Sequence, residues 1–295
     1  MWSIGIYSGE SPFGLRPLAE ACNPVLMRHD VRDVPAAFVA DPFMILSEGV
    51  WYMFFEVMND LTNKGEIALA TSVDCVNWEY QQIVLSEEFH LSYPCVFEWH
   101  GVHYMIPETL PLGAVSLYRA EDFPTRWSYV GPLVDGIFAD PSILRFDDRW
   151  WLFVPSNPYE HDRLSLYYAE DLAGPWREHP ASPIVEDNNH NARPAGRVIV
   201  TDGAPIRFSQ DCFPTYGTQV RAFKISKLTT NSYSEIEHES SPLLTPSGEG
   251  WNAHKMHHID PHALPGGGWI ACVDGYAEST SESMNVTKKV SAIRY

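Results

Sequence analysis

The sequence has few basic residues, and this scarcity excludes several classes of function. Lys and Arg together number 20 against 38 for Asp and Glu, so the formal net charge at pH 7 is −18. Affinity for nucleic acids and for anionic membrane surfaces comes mainly from cationic side chains, and no Lys/Arg cluster is present here. We therefore expect no nucleic-acid partner.

Long apolar runs and closely spaced cysteine pairs are also missing. No stretch of eighteen apolar residues occurs, so we expect no membrane span. The first residues lack the basic and apolar regions of a signal peptide. The five cysteines are scattered and form no CxxC motif, which is typical of free thiols in a reducing compartment. Together these features predict a cytoplasmic protein.

The chain instead contains an internal repeat. Three segments that begin at Asp41, Tyr93 and Asp140 align without a gap. Each begins with an X-Pro pair and continues as an apolar run, a turn with Gly or Asp, an aromatic run and an alternating run before a Trp. Aromatic and β-branched runs separated by turn residues indicate strands rather than helices. Two weaker copies begin at Arg193 and Asp260.

The spacing of these copies predicts the fold. Repeats of roughly 50 residues that each hold several strands are typical of the blades of a β-propeller. We predict an all-β, five-bladed β-propeller of four-stranded blades, with residues 1–295 as a single domain. Residues 1–7 are expected to form a strand that completes the last blade and closes the ring.

The residues that open each unit are predicted to line the central funnel. Innermost strands surround the axis of a propeller, so Asp41 and Asp140 would lie near one another. Carboxyl groups in one pocket can act as general acid and base. Glu56 and Glu108 end the aromatic run of the first two units at equivalent places, and each either faces the pocket or makes a structural ion pair.

A second group of residues is predicted to bind the substrate. The arginines of the fourth unit suit forked hydrogen bonds to a phosphate or carboxylate, or else form a salt-bridge network that holds that blade. The histidines around the fifth X-Pro pair lack the spacing of a metal site, so we expect no metal ion and no cofactor. A tryptophan in a glycine-containing loop suits stacking on a sugar. The predicted binding residues are His90, Tyr93, Arg193, Arg197, Arg207, Gln210, Asp211, Tyr216, Trp251, His257, His258 and Asp260.

Two Asp-Pro motifs, within residues 40–43 and 139–142, resemble the five-bladed propeller clan of arabinanases, xylosidases, invertases and levansucrases. The resemblance implies that Asp41 is the catalytic base or nucleophile and that Asp140 is a stabiliser that tunes the acid. The clan places its general acid, a glutamate, at the opening of blade four. This chain has Arg193 there, so Glu108 or Glu56 would replace the acid, or the chemistry differs.

A closer resemblance covers nearly the whole chain. Residues 38–43, 89–94, 117–120 and 207–212, with 216–217, are similar to the N-terminal domain of plant glucosamine inositolphosphorylceramide transferases. In those proteins a separate C-terminal domain is the recognised glycosyltransferase. We expect a carbohydrate-active, glycoside-hydrolase-like propeller that acts on a glycan or glycoconjugate, with the arginines binding an anionic group. The alternatives are a non-catalytic sugar-binding module and a glycosyl transferase or phosphorylase.

Overall fold

The computed structural model describes residues 1–278 and confirms an all-β, five-bladed β-propeller. Its 21 strands form five antiparallel sheets, one for each blade. Short 3₁₀ turns lie at Arg28–Asp30, Leu110–Leu112 and Gly250–Asn252. Within the described residues, no helix is long and apolar enough to cross a bilayer. The predicted domain extended to residue 295, and residues 279–295 lie outside the described part.

The strands follow one another around the ring in chain order. The first two are β1 (Trp2–Gly9) and β2 (Arg16–Pro17). Blade one contains β3 (Ala36–Ser47), β4 (Val50–Asn59), β5 (Lys64–Ser72) and β6 (Glu79–Leu85). Blade two contains β7 (Ser92–Trp99), β8 (Val102–Glu108), β9 (Ala114–Asp122) and β10 (Arg126–Asp135). Blade three contains β11 (Ser142–Phe146), β12 (Arg149–Pro155), β13 (Leu164–Ala169) and β14 (Arg177–Glu178).

Blade four contains β15 (Arg193–Pro194), β16 (Ile199–Thr201), β17 (Ala204–Asp211), β18 (Gln219–Thr229) and β19 (Ser232–Glu237). Blade five contains β20 (Ile259–Ala263) and β21 (Trp269–Tyr276), and it takes its two outer strands from the N-terminus. β1 pairs with β21 from Trp2 opposite Tyr276 to Gly9 opposite Trp269. The expected closure of the ring by the N-terminal strand is therefore confirmed.

A β-bulge marks the X-Pro pair in the first two blades. Asp41 and Pro42 on β3 oppose one residue of β4, and Tyr93 and Pro94 on β7 oppose one residue of β8. Proline has no N–H to give to the ladder, and a bulge is a place where none is needed. Asp41 and Tyr93 take left-handed backbone angles, with φ of 53° and 49°. The bulge thus turns both side chains toward the axis.

Blades three and four depart from this pattern. Asp140 precedes β11 instead of lying within it, although it is also left-handed, with a φ of 34°. In blade four the innermost strand is divided into β15 and β16, so this sheet has five strands and the expectation of four was wrong. Gly196 lies in the break with a φ of 123°, and a Cβ there would lie 1.8 Å from Ile259 O. The break lets blade four approach the backbone of blade five.

The hydrophobic core lies between adjacent blades. Phe54 of β4 packs edge-on against Trp127 of β10, with ring centroids 5.4 Å apart. Trp150 of β12 packs edge-on against Trp99 of β7 at 5.1 Å. In blades one and three, a residue of the aromatic run therefore contacts a tryptophan of blade two.

Candidate functional site

Four of the five blades bring a buried acid to one end of the propeller axis. Asp41 comes from the bulge of β3, Glu56 from β4, Glu108 from the end of β8, Asp140 from the residue pair before β11, and Asp274 from β21. The side chains of Asp41, Glu56 and Glu108 are only 7–8% exposed to solvent. The acids are close enough to act on one another electrostatically. They form a single buried cluster, called the acid pocket below.

Asp140 is held by side chains from blade four. Arg193 donates from Nε to Asp140 Oδ2 at 2.5 Å, and Gln210 donates from Nε2 to the same oxygen at 2.8 Å. The backbone N–H of Asp140 donates to Glu108 Oε2 at 3.0 Å. Arg193 Nη2 lies 3.7 Å from that glutamate oxygen. The arginine at the blade-four position therefore binds two of the acids.

The guanidinium of Arg193 has little capacity left for a ligand. Its Nη1 donates to Pro158 O at 3.2 Å and to His161 Nδ1 at 3.0 Å. The ring of Tyr216 covers it at 4.9 Å. Burial lowers the pKa of His161 to about 4, so this imidazole is neutral and can accept the bond. Arg193 is a fixed part of the wall of the pocket.

Asp274 connects Asp41 to His257. Its Oδ2 accepts a hydrogen bond from the backbone N–H of Asp41 at 3.1 Å, which fixes the left-handed residue. Its Oδ1 binds His257 Nδ1 at 2.8 Å and accepts from the His257 backbone N–H at 3.2 Å. His257 Nε2 then lies 3.8 Å from Asp41 Oδ1. The imidazole stacks on Trp2 at 3.9 Å, which keeps its ring plane fixed.

His258 lies on another side of Asp41. It is fully buried, its Nδ1 is 3.7 Å from Asp41 Oδ1, and neither ring nitrogen makes a hydrogen bond in the structure. Phe43 and Tyr93 pack edge-on against the ring. Burial lowers the pKa of His258 to about 4, so the ring is neutral at neutral pH. A buried polar ring beside an acid points to a site that a hydroxyl or water can occupy.

Glu56 faces a neutral histidine. Its Oε1 lies 3.5 Å from His90 Nε2, while His90 Nδ1 accepts from the backbone N–H of Gly65 at 2.9 Å. Because Nδ1 is an acceptor, the ring proton is on Nε2 and points toward Glu56. Burial lowers the pKa of His90 to about 4. The predicted binding residue His90 therefore lies at the pocket and orients one of its acids.

Burial and mutual repulsion raise the pKa values of three of the acids. Burial raises the pKa of Asp41 to about 7, against the opposing effect of His257. Burial, with Asp140 next to it, raises the pKa of Glu108 to about 8. Burial and the neighbouring carboxylates raise the pKa of Glu56 well above its usual range. The pocket thus holds protonated acids at neutral pH next to one that titrates there.

The other predicted arginines lie in separate networks. Arg197 binds Asp260 at 2.7 Å, and Asp260 also accepts from the N–H of Met44 and binds His262 Nε2. Arg207 forms a double ion pair with Glu235. The structure therefore does not bring these two guanidinium groups together with Arg193. Each arginine is neutralised by a carboxylate of the chain itself.

Three further predicted residues have structural contacts. Tyr93 is fully buried, and its hydroxyl lies 2.8 Å from Ser142 Oγ and 2.5 Å from the N–H of Gly196, so it ties blades two, three and four together. Asp211 is bound by Arg221 at 2.8 Å. Trp251 packs over the β1–β21 pair, against glycines of both strands. None of these contacts belongs to the acid pocket.

Sequence reasoning did not select Asp274, although a signal for it exists. Counting five residues from Trp51 gives Glu56, and counting five from Trp269 gives Asp274. The same position of the repeat therefore carries an acid in blades one, two and five and Gln210 in blade four. Asp41, His257 and Asp274 place one ligand atom each within 4.8 Å of one another. The hydrogen bond between Asp274 and His257 accounts for this arrangement.

Plant proteins that share one name are similar to this chain in sequence. A rice (Oryza sativa subsp. japonica) protein named glucosamine inositolphosphorylceramide transferase 1 is 36% identical over 93% of this chain and 40% of its own length. The Arabidopsis thaliana protein of the same name is 32% identical over 93% of this chain and 39% of its own. The chain thus spans about two fifths of these relatives.

Solved glycoside hydrolases share the architecture. The catalytic domain of the Coprinopsis cinerea GH62 α-L-arabinofuranosidase superposes with a TM-score of 0.62 at 12% identity, over 92% of this chain and 99% of that one. At this identity the likeness shows the fold alone. The family described as glucosamine inositolphosphorylceramide transferase 1, N-terminal, matches residues 1–276. The chain belongs to this N-terminal domain family of glucosamine inositolphosphorylceramide transferases.

Proposed function

We propose that the acid pocket breaks or transfers a glycosidic bond of a glycan or glycoconjugate. The observation that carries the proposal is the pair of Asp41 and Glu108, two buried acids in one pocket. Glu108 Oε2 accepts from the backbone N–H of Asp140, and the backbone N–H of Asp41 donates to Asp274 Oδ2. Glu108, with a pKa raised to about 8, is protonated at neutral pH and suits the general acid. Asp41, with a pKa of about 7, is ionised in part and suits the base or nucleophile.

Arg193 supports this assignment because it occupies the blade-four position where the clan has its general acid, and it binds Asp140 from there. It neutralises Asp140 through Nε, and Asp140 in turn positions Glu108 through its backbone N–H. Asp140 would then tune the acid from the neighbouring blade. Glu56 is the second candidate for the acid, since its pKa is also raised and it faces His90.

The charge balance of the pocket favours a neutral or amino sugar over an anionic one. Arg193 is paired with Asp140, and Asp274 is paired with His257. The close ion-pair contacts of Asp41 and Glu56 among the described residues are with imidazoles, so an ammonium group would let these acids ionise, whereas an anionic group would be repelled. The rice relative's name contains glucosamine, and we extend an amino sugar to this chain as part of the proposal.

The test is turnover by the purified chain on a panel of aryl glycosides and glycosylinositol lipids, with released or transferred sugar as the readout. Asp41→Asn and Glu108→Gln are each expected to lower kcat by at least about 10²-fold, the usual contribution of a positioned acid or base. Glu66→Gln is the matched control, because Glu66 is a buried glutamate bonded to Asn59 and Ser86 outside the pocket. Full activity of both pocket variants would contradict the proposal.

A non-catalytic sugar-binding domain is the second candidate. The observation that favours it is the length comparison, since the chain spans about two fifths of relatives that are named as transferases. Binding of a sugar that is lost in Asp41→Asn, without any turnover by the wild type, would support this reading. Turnover that depends on Glu108 would exclude it.

A further inference from the structure

The contact between Asp41 and His257 has a separation that suits a bridging atom. The 3.8 Å between Asp41 Oδ1 and His257 Nε2 is too long for a direct hydrogen bond. An oxygen atom beside this line can lie about 2.8 Å from both atoms, within normal hydrogen-bond distance of each. The two side chains therefore define a site for one hydroxyl group.

The hydrogen bonds around His257 fix which nitrogen faces that site. Asp274 lies 2.7 Å and 2.8 Å from Nδ1 through its two oxygens, so Nδ1 carries a proton. Nε2 is left facing Asp41. Asp274 and Asp41 raise the pKa of His257 above its usual value, so the ring also holds a proton on Nε2 over more of the neutral range.

A second observation points to a ligand beside the same oxygen of Asp41. His258 Nδ1 lies 3.7 Å from the same Asp41 oxygen, is fully buried and makes no hydrogen bond. Leaving such a nitrogen unbonded is costly unless a ligand or water pairs with it. The free nitrogen thus lies beside the oxygen that His257 also faces.

We propose that His257 is a further catalytic residue, with Asp274 as its positioning residue, and that His257 and Asp41 together hold the hydroxyl of the acceptor. This inference rests on the proposed function. The acceptor oxygen accepts a hydrogen bond from His257 Nε2–H and donates its own proton to Asp41. As that oxygen bonds to the anomeric carbon, its proton passes to Asp41, and the leaving oxygen takes a proton from Glu108.

Other charged and titratable groups also affect the pKa values of Asp41 and His257. They belong to every blade that borders the pocket, so a pH effect must be judged against them. The charged and titratable groups around Asp41 and His257 are Asp274, Asp140, Arg193, His258, Glu56, Glu108 and Tyr216. Arg193 keeps its charge at all relevant pH values, and His258 is neutral. The groups with raised pKa values, Asp41, Glu56, Glu108 and His257, therefore share the titration.

The first experiment measures pH profiles of kcat and kcat/KM for His257→Gln and Asp274→Asn. His257→Gln keeps a donor but loses the positive charge, so kcat should fall on the order of 10²-fold. The acid limb of kcat/KM should move up by about one pH unit, since Asp41 loses the cation that favours its ionised form. Asp274→Asn should also lower kcat, with little change in KM.

His262→Gln is the matched control, because His262 forms the same kind of histidine–aspartate pair, with Asp260 at 2.9 Å. It should retain the wild-type kcat and pH profile. A wild-type profile for His257→Gln, with Asp41→Asn inactive, would overturn the inference and leave the proposed function standing. Full activity of Asp41→Asn would also overturn the inference, and full activity of both Asp41→Asn and Glu108→Gln would overturn the proposed function as well.

A second measurement does not depend on turnover. Nitrogen-15 NMR of histidine side chains should show His257 protonated at Nδ1 and titrating above its usual pKa. In Asp41→Asn the pKa of His257 should fall, since one of the carboxylates that stabilise the imidazolium is gone. A His257 titration that is the same in wild type and Asp41→Asn would overturn the inference, whether or not a substrate has been found.

Discussion

Arg193 Nε donates to Asp140 Oδ2 at 2.5 Å, so a residue that opens blade four binds one that opens blade three. The same guanidinium reaches 3.7 Å from Glu108 Oε2. Arg193 therefore neutralises an acid cluster that would otherwise repel itself. An acid at this position would add another carboxyl group to a pocket that already holds five.

The first prediction concerns the stability that Arg193 provides. Arg193→Gln should lower the free energy of unfolding by about 3 kcal/mol, because it leaves Asp140 buried without its cation. Urea denaturation followed by tryptophan fluorescence measures the change. Arg149→Gln is the control, since Arg149 pairs with the exposed Glu170, and its loss should cost less than about 1 kcal/mol. Equal costs for the two variants would contradict the buried network.

The second prediction concerns pH and Glu108. Its pKa is raised from the usual 4.5 to about 8, so the folded state binds the proton more tightly than the unfolded state. The resulting stability is complete below pH 4.5 and is lost as the pH rises toward 8, at about 1.4 kcal/mol for each pH unit at most. Glu108→Gln should remove the contribution of Glu108 to the change of unfolding free energy with pH. Urea denaturation at a series of pH values measures it.

The control for that prediction is Glu66→Gln, a buried glutamate whose oxygens are bonded to Asn59 and Ser86. Its stability should follow the wild-type pH dependence. If the curves for Glu108→Gln and wild type are parallel between pH 4.5 and 8, the raised pKa of Glu108 is wrong.

The sequence predicted the fold because the repeat carries strong local signals. X-Pro pairs, turn residues and aromatic runs recur at a spacing typical of blades, and strand pairing follows from them. The acids also follow from the repeat, since Asp41 and Glu56 occupy fixed positions within it. The closure by β1 could be predicted because residues 1–7 have the pattern of a strand that can complete the last blade.

The hydrogen-bond and ion-pair partners of the side chains could not be predicted from the repeat. Arg197 and Arg207 lie near Arg193 in the chain, yet the three arginines bind different acids. Arg193 lies in β15, Arg197 in the break before β16 and Arg207 in β17. The break in the innermost strand of blade four separates the arginines. This break depends on the close approach of Gly196 to the backbone of blade five. Contacts between blades are non-local, so sequence spacing within one unit does not determine them.

The third prediction concerns Gly65, which lies beside Glu56 and His90. A Cβ at this position would lie 2.2 Å from Leu91 O and 2.8 Å from Glu56 Oε1. Gly65→Ala should therefore displace the His90 loop and destabilise the fold by about 1–3 kcal/mol. Gly266→Ala is the control, since no atom lies within 4 Å of a Cβ there. Thermal unfolding of the two variants gives the comparison, and equal midpoints would contradict the close approach.

The last prediction concerns the charge of the sugar. The close ion-pair contacts of Asp41 and Glu56 among the described residues are with imidazoles, while the donors of Arg193 are occupied by other groups. An ammonium group on the sugar would stabilise the ionised acids, and a carboxylate would oppose them. Glucosamine should therefore bind more tightly than glucuronate by at least about tenfold, or 1.4 kcal/mol, with glucose between them.

Saturation-transfer NMR with the three sugars in competition measures this order at pH 7. Glu56→Gln should reduce the preference for glucosamine, because it removes an acid that the ammonium group would pair with. Glu66→Gln should leave the order unchanged, since Glu66 lies outside the pocket. Tighter binding of glucuronate would mean that Arg193 leaves Asp140 to bind the ligand. The arginine, and not the surplus of acids, would then determine which sugar the pocket accepts.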